Sequence, residues 1–193
     1  MHSRNPFLGI LLFLMGCEAH APVEPVESTE TSSTEVDDAV SRGEYLVTIT
    51  ACGDCHTPFK MGPQGPEPDN TRMLSGHPEG ATMARAPELP EPWLWLGAAT
   101  NTAFAGPWGV TYAINLTPEE VTGIGIWTEE MFANAMRTGK HMGTSRTIMP
   151  PMPWPSYSKM TDEDLKAVYA YLRSIPPLRN QSPDYEPPAA PTQ

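Results

Sequence analysis

The sequence predicts a mainly α-helical domain that is interrupted by a long insertion rich in proline and glycine. Three segments, which begin near residues 37, 129 and 162, place apolar residues at helical spacing. Residues 58–109 contain too many prolines and glycines for a long helix. The 193 residues include 23 prolines and 15 glycines, so much of the backbone must be loop. We therefore expect one folded domain over residues 37–176 with a tail on each side.

The N-terminal segment has the features of an export signal. Arg4 supplies a positive charge, and Phe7–Met15 is an apolar run that is shorter than the about 20 residues a membrane span requires. The run ends in Leu-Met-Gly-Cys17, which resembles the lipobox of bacterial lipoproteins. That resemblance implies removal of residues 1–16 and lipidation of Cys17. An ordinary secretory signal with a coincidental cysteine is the alternative.

Both tails are predicted to be disordered. Residues 17–36 contain few apolar side chains and many Glu, Pro, Ser and Thr residues, which favours an acidic tether between the lipidated cysteine and the domain. Residues 177–193 are again rich in proline and are expected to form a disordered tail.

The formal net charge of −11 limits the partners of the chain. Such a chain has little capacity to neutralise phosphates, which argues against binding to nucleic acid. It also disfavours adhesion to an anionic membrane surface. The charge instead favours docking to a basic patch on another protein.

The first predicted helix begins at Asp37 and leads into a short motif that carries the chemistry. Val40, Gly43, Val47 and Thr50 form one stripe of this helix. The motif that follows reads Cys-Gly-Asp-Cys-His and spans residues 52–56.

This motif is the pattern for covalent attachment of haem. Residues three apart share one face of a helical turn, so Cys52 and Cys55 can both reach the vinyl groups of a porphyrin and form thioethers. His56 can then bind the iron from the proximal side. The sequence therefore predicts one covalent haem c, with its iron, as the cofactor.

Two other interpretations of the cysteine pair are weaker. A zinc site needs two more ligands, but the third cysteine is Cys17 and the other histidines are scattered along the chain, at His2, His20, His77 and His141. A thioredoxin-like redox pair would need a βαβ context, which the surrounding sequence does not have.

Two further helices have clear boundaries. Thr128 is a candidate N-cap for the second helix, and Gly139 is a candidate C-cap. Thr161 is a candidate N-cap for the third helix, which Pro176 ends. The apolar stripe of the third helix follows the i, i+3, i+4, i+7 pattern, with residues Leu165, Val168, Tyr169 and Leu172.

A small hairpin is predicted in the second half of the insertion. It spans residues 104–114 with a turn at 106–109, because Val110, Tyr112 and Ile114 occupy alternate positions after the turn. Trp93 and Trp95 also alternate. The aromatic residues of this region are expected to pack in the core, or else to line the haem pocket or an exposed partner patch.

The sequence places a haem motif just after the first helix and a clearly amphipathic helix last. This layout resembles that of class I cytochrome c. The resemblance implies that the N-terminal and C-terminal helices cross over the covalent haem. Gly43 is a candidate for the crossing point, opposite Tyr169 or Leu172, because a missing side chain lets helices approach.

Class I cytochromes bind iron with a methionine on the distal side, and Met152 is the candidate here. It lies between prolines in Met-Pro-Pro-Met-Pro-Trp, where the loop is stiffened. This loop is similar to one in the cytochrome domains of bacterial sugar and alcohol dehydrogenases, and the similarity extends through 115–118, 123–128 and 160–165. Met149, an open site, or less favourably His77 or His141, are the alternatives.

These patterns predict a monohaem cytochrome that transfers single electrons between redox partners at the periplasmic face of a membrane, with no catalysis of its own. It could be the haem subunit of a dehydrogenase or respiratory complex, although those dehydrogenase subunits carry several haem motifs and this chain has one. An open iron site would instead indicate a haem enzyme or a gas sensor. Asn115 and Trp127 are candidates to reach the haem propionates or simply to hold their loop.

Overall fold

A computed structural model describes residues 30–81, 89 and 91–188. The predicted signal peptide, Cys17 and residues 18–29 of the predicted tether lie outside these ranges. The helices are α1 (Glu30–Ile49), α2 (Cys52–His56), α3 (Glu129–Thr138), α4 (Trp154–Tyr157) and α5 (Asp162–Ser174). The strands are β1 (Phe59–Gly62), β2 (Gly65–Pro68), β3 (Leu96–Gly97), β4 (Ala103–Gly106) and β5 (Gly109–Tyr112). No described helix has both the length and the apolar character that a membrane crossing requires.

Helix α1 differs from its prediction at both ends. It begins at Glu30, inside the segment expected to be a disordered tether up to residue 36, so that expectation is wrong for residues 30–36. Residues 34–38 are exposed, and a helix that is already packed further on can extend into solvent because each added residue contributes a hydrogen bond. At the other end, Ala51 adopts a left-handed conformation with φ 58°, which separates α1 from α2.

Helices α1 and α5 cross at Gly43, as predicted, but the residues opposite it are different. A Cβ atom on Gly43 would lie 2.0 Å from the carbonyl oxygen of Ala167 and 2.7 Å from Cβ of Tyr171. The expectation of Tyr169 or Leu172 is wrong because that stripe of α5 turns toward the core and α3 instead. Leu172 is buried, and the Tyr169 ring packs against Phe132 of α3.

The caps of α3 and α5 confirm the predicted starts of both helices. The Thr128 hydroxyl accepts a hydrogen bond from the backbone amide of Met131, and Gly139 ends α3 with φ 65°. The Thr161 hydroxyl accepts from the amide of Asp164 at 3.1 Å. Helix α5 then ends at Ser174, just before Ile175 and Pro176.

The insertion folds into two small antiparallel sheets, so the domain is not purely helical. Strands β1 and β2 form one hairpin, and β3, β4 and β5 form a three-stranded meander. The predicted hairpin is the β4–β5 pair, in which Gly106 lies opposite Gly109. Trp93 and Leu94 are 66% and 64% exposed, so the core packing expected for Trp93 is wrong.

The predicted disorder of residues 177–193 is wrong for residues 177–188. Asn180 is 1% exposed, and its amide donates to the carbonyl oxygens of Ser75 and His77 at 2.6 and 2.8 Å. The Arg72 guanidinium donates to the Asn180 side-chain oxygen at 2.6 Å. We call residues 177–188 the C-terminal strap. Polar side chains hold it against the fold, which explains why low hydrophobicity misled the prediction.

Candidate haem-binding site

Helix α2 presents the motif at the wall of a deep crevice. Cys52 and Cys55 lie one helical turn apart, and both thiols are free and half-buried. His56 closes the same turn and is 7% exposed. All three side chains line the crevice, which places both thioether-forming atoms and an imidazole on one wall.

The orientation of His56 suits iron binding. Its Nδ1 atom lies 2.8 Å from the backbone carbonyl oxygen of Ile114. A carbonyl oxygen only accepts, so Nδ1 carries the proton and Nε2 keeps its lone pair for a metal. Burial lowers the pKa of His56, which favours the neutral imidazole that a metal requires.

The crevice is apolar and large enough for a porphyrin. Counted with its open mouth, its volume is about 1200 Å³. Its walls come from α2, the β4–β5 hairpin, α3, α5 and the Ile148–Met160 segment. Besides the motif, they include Phe104, Tyr112, Leu116, Ile124, Phe132, Leu165, Val168 and Leu172. An apolar slot beside two thiols and one free imidazole nitrogen fits a covalently bound haem.

Two methionines of the proline-rich loop line the crevice. Met152, the predicted distal ligand, is half-buried, and so is Met149, its alternative. Met136 and Met160 also contribute to the walls. The loop thus brings candidate thioethers to the same cavity as His56. In the sequence, 92 residues (57–148) lie between His56 and Met149.

The two alternative histidines occupy different environments. His141 lines the crevice, and its ring meets that of Trp127 edge to face at 5.0 Å. His77 is 0% exposed, lies in a loop and is not part of the crevice wall. It is buried because Thr102 bonds its Nδ1 atom at 2.9 Å and Tyr112 packs on its ring.

Asn115 and Trp127 lie in different surroundings and have different roles. The Asn115 amide donates to the carbonyl oxygen of Leu178 at 2.7 Å, and its oxygen accepts from the amide of Thr117 at 2.9 Å. Asn115 therefore holds its loop to the C-terminal strap. Trp127 lines the crevice and is 7% exposed, so it is placed to contact a bound porphyrin.

Some crevice residues were not found from the sequence. Tyr157 and Arg146 both line the crevice, and Ile114 supplies the carbonyl that orients His56. A backbone carbonyl leaves no signal in a sequence. Tyr157 lies five residues after Met152, and this proximity to the predicted ligand is the one indication in the sequence.

The described residues give no support for the zinc interpretation. Among residues 30–81, 89 and 91–188, no three His, Cys, Asp or Glu side chains are grouped as metal ligands would be. The surroundings of Cys52 and Cys55 are apolar instead, and burial raises the pKa of both thiols.

Comparison with known proteins agrees with this site. The family model described as cytochrome c matches residues 40–176. The fructose dehydrogenase cytochrome subunit of Gluconobacter japonicus is 29% identical over 174 residues, which cover 90% of this chain and 28% of that protein. The gluconate 2-dehydrogenase cytochrome c subunit of Pantoea cypripedii is 31% identical over 149 residues, or 77% of this chain and 26% of that protein.

A third relative is the cytochrome c subunit of the alcohol dehydrogenase (quinone) of Gluconobacter oxydans (strain 621H), 29% identical over 154 residues. That match covers 78% of this chain and 25% of the relative. The chain thus spans about a quarter of the length of these relatives. A family match over most of the chain, together with two free thiols and an oriented imidazole in one apolar crevice, assigns the cofactor as haem c and the chain to the cytochrome c family.

Proposed function

We propose that this chain is a monohaem electron carrier whose iron is held by His56 and Met152, and that it serves a dehydrogenase or respiratory complex. The observation that carries the proposal is the crevice itself. It places the free Nε2 side of His56 and the methionine loop around one apolar cavity. If His56 and Met152 both held the iron in the ferrous and ferric states, little would rearrange on electron transfer, which suits a carrier rather than a substrate-binding site.

Met152 is favoured over Met149 by its immediate neighbours. Pro151 and Pro153 flank it and restrict the backbone, so less conformational entropy is lost when the thioether binds. Met149 shares the crevice wall and remains the alternative ligand. A thioether ligand and an apolar pocket both favour ferrous iron and raise the reduction potential.

We further propose that the protein works at the periplasmic face of a membrane, where Cys17 anchors it. The lipobox-like sequence before Cys17 supports this, and lipidation of Cys17 together with two thioethers would leave no free thiol, which suits an oxidising compartment. The three dehydrogenase cytochrome subunits named above support a place beside a dehydrogenase. Their substrates are not transferred to this chain.

The proposed docking surface lies beside the crevice. A side cavity shares Trp127, His141 and Arg146 with the crevice, and exposed Val121 and Ile126 lie on its rim. Glu120 and Asp184 line the same cavity. With two carboxylates against the single guanidinium of Arg146, the charged lining is negative on balance and suits a partner with a basic patch.

Covalent haem and single-electron chemistry are tested together on protein coexpressed with a cytochrome c maturation system. Intact mass and a pyridine haemochrome assay should give one haem per chain, retained after denaturation. A redox titration should follow a one-electron curve. Protein that binds zinc and stays colourless, or haem that denaturation extracts, would refute the proposal. Cys52→Ala with Cys55→Ala is the matched negative control.

The docking surface is tested through ionic strength. Electron transfer to a basic acceptor should slow as salt rises, and Glu120→Gln with Asp184→Asn should flatten that dependence. The control is Glu35→Gln with Asp37→Asn, which removes the same charge from exposed positions on α1. Equal effects of the two pairs would mean that net charge, rather than this surface, steers docking.

A further inference from the structure

The residues that flank the methionine loop on both sides contact the same glycine, Gly139. We define the distal loop as Met149–Pro153. Just before it, the amide of Ile148 donates to the carbonyl oxygen of Gly139 at 2.8 Å. Just after it, the Trp154 indole lies against Gly139 so closely that a Cβ there would be 2.2 Å from the ring. Both ends of the distal loop therefore meet at the C-cap of α3.

Helix α4 continues from the loop and is tied to the haem-attachment side of the crevice. The Tyr157 hydroxyl donates to the carbonyl oxygen of Thr50 at 2.6 Å. Thr50 lies two residues before Cys52, and its own hydroxyl is 3.4 Å from the Cys52 sulfur. Burial is the main cause that raises the pKa of Tyr157 to about 12, so the hydroxyl remains a donor at neutral pH. This bond joins the distal side of the crevice to the proximal side.

The far end of α4 has a separate attachment. The Arg137 guanidinium donates to the carbonyl oxygens of Ser158 and Met160, both at 2.6 Å. It also pairs with Asp162 at the start of α5. These contacts hold the end of the segment on α3 and do not involve Tyr157. The Tyr157–Thr50 bond instead ties α4 to the attachment side of the crevice.

We infer that Tyr157 is a positioning residue, which holds the distal loop closed over the attachment helix through its bond to Thr50. The inference rests on the proposed function, because it assumes that Met152 binds the iron. Tyr157 does not touch the metal in this role. It limits how often the loop lifts away, and so it limits how easily another ligand takes the place of the thioether.

The test is competition by imidazole for ferric iron, followed by the absorption spectrum of the full haem protein. Imidazole binds only after the methionine leaves, so its apparent affinity includes the opening equilibrium of the loop. Tyr157→Phe keeps the ring and removes the hydroxyl. We expect it to raise the apparent imidazole affinity by about 3- to 10-fold, the factor that corresponds to a single hydrogen bond. Ser156→Ala, an exposed change on the same helix, should leave the affinity within about 2-fold.

The same variant in the Met152→Ala background separates positioning from a general structural effect. Without the methionine there is no closed state to protect, so Tyr157→Phe should then change imidazole affinity by less than about 2-fold. The inference is overturned if Tyr157→Phe changes the apparent imidazole affinity equally with and without Met152, or if it does not change that affinity when Met152 is present. If wild type binds imidazole as readily as Met152→Ala does, the ligand assignment in the proposed function fails instead. A melting curve for each variant confirms that the protein compared is folded.

Discussion

The Nδ1 atom of His56 lies 2.8 Å from the carbonyl oxygen of Ile114, 58 residues further along the chain. This contact joins the haem motif to the second residue after the β4–β5 hairpin. The insertion therefore does more than lengthen the domain, because its end fixes the tautomer and the direction of the proximal imidazole. The orientation of the metal ligand depends on the correct folding of a segment that the motif alone does not reveal.

A side chain at the helix crossing should destabilise the fold. In Gly43→Ala, the new Cβ would meet the Ala167 carbonyl oxygen at 2.0 Å, so α1 and α5 must move apart. We expect the free energy of unfolding to fall by about 1–3 kcal/mol, as for other overpacked sites. Urea unfolding followed by circular dichroism measures the change. Ser41→Ala, exposed on the same helix, should alter it by less than about 0.5 kcal/mol; equal losses would show that the crossing is not tight.

The C-terminal strap should contribute to stability through Asn180. In Asn180→Ala the carbonyl oxygen of Ser75 loses its side-chain donor, and the Arg72 guanidinium and the Glu79 amide lose the oxygen that accepts from them. Each unsatisfied buried polar group costs about 1–3 kcal/mol, so we expect a loss at or above this range. The matched control is Gln181→Ala, because Gln181 is the next residue in the chain and its side chain is exposed. A thermal melt in which the two variants behave alike would contradict a packed strap.

The stability of the protein should fall as the pH drops below about 6.5, in part because of His77. Burial, aided by the nearby charge of Arg72, lowers the pKa of His77 in the folded protein. The neutral form is then favoured by folding, so its contribution is complete above the unfolded pKa of about 6.5 and is lost at lower pH.

His77→Gln should flatten this dependence between pH 7 and 5. The expected change in slope is at most about 1.4 kcal/mol per pH unit, because one proton is involved. Urea midpoints measured across this range give the two slopes. Parallel slopes for wild type and variant would mean that His77 titrates alike in the folded and unfolded protein, so that burial does not lower its pKa.

The sequence predicts correctly those features that depend only on residues close together in the chain. The caps at Thr128 and Thr161 and the glycine after α3 set the boundaries of two helices, since a cap needs only nearby atoms. The haem motif could also be recognised from the sequence, because one helical turn holds its three reactive side chains. The small residue at the helix crossing was recognised too, but not its partners.

What the sequence did not reveal depends on distant contacts. The rotation of α5 that brings Ala167 to Gly43 follows from packing on α3 as well as on α1. The order of the C-terminal strap rests on side-chain amides that bond to backbone carbonyls about 100 residues away. Hydrophobic patterning does not register such bonds, so the sequence predicts disorder for this polar segment.

The central claim, an iron closed by His56 and Met152, is tested most directly by carbon monoxide binding to the ferrous protein. We predict a low-spin spectrum in wild type that is unchanged by carbon monoxide within minutes, and a Met152→Ala protein that binds it at once. Met149→Ala is the matched control and should behave as wild type. A wild-type protein that binds carbon monoxide readily, or an opening caused by Met149→Ala and not by Met152→Ala, would contradict the assignment.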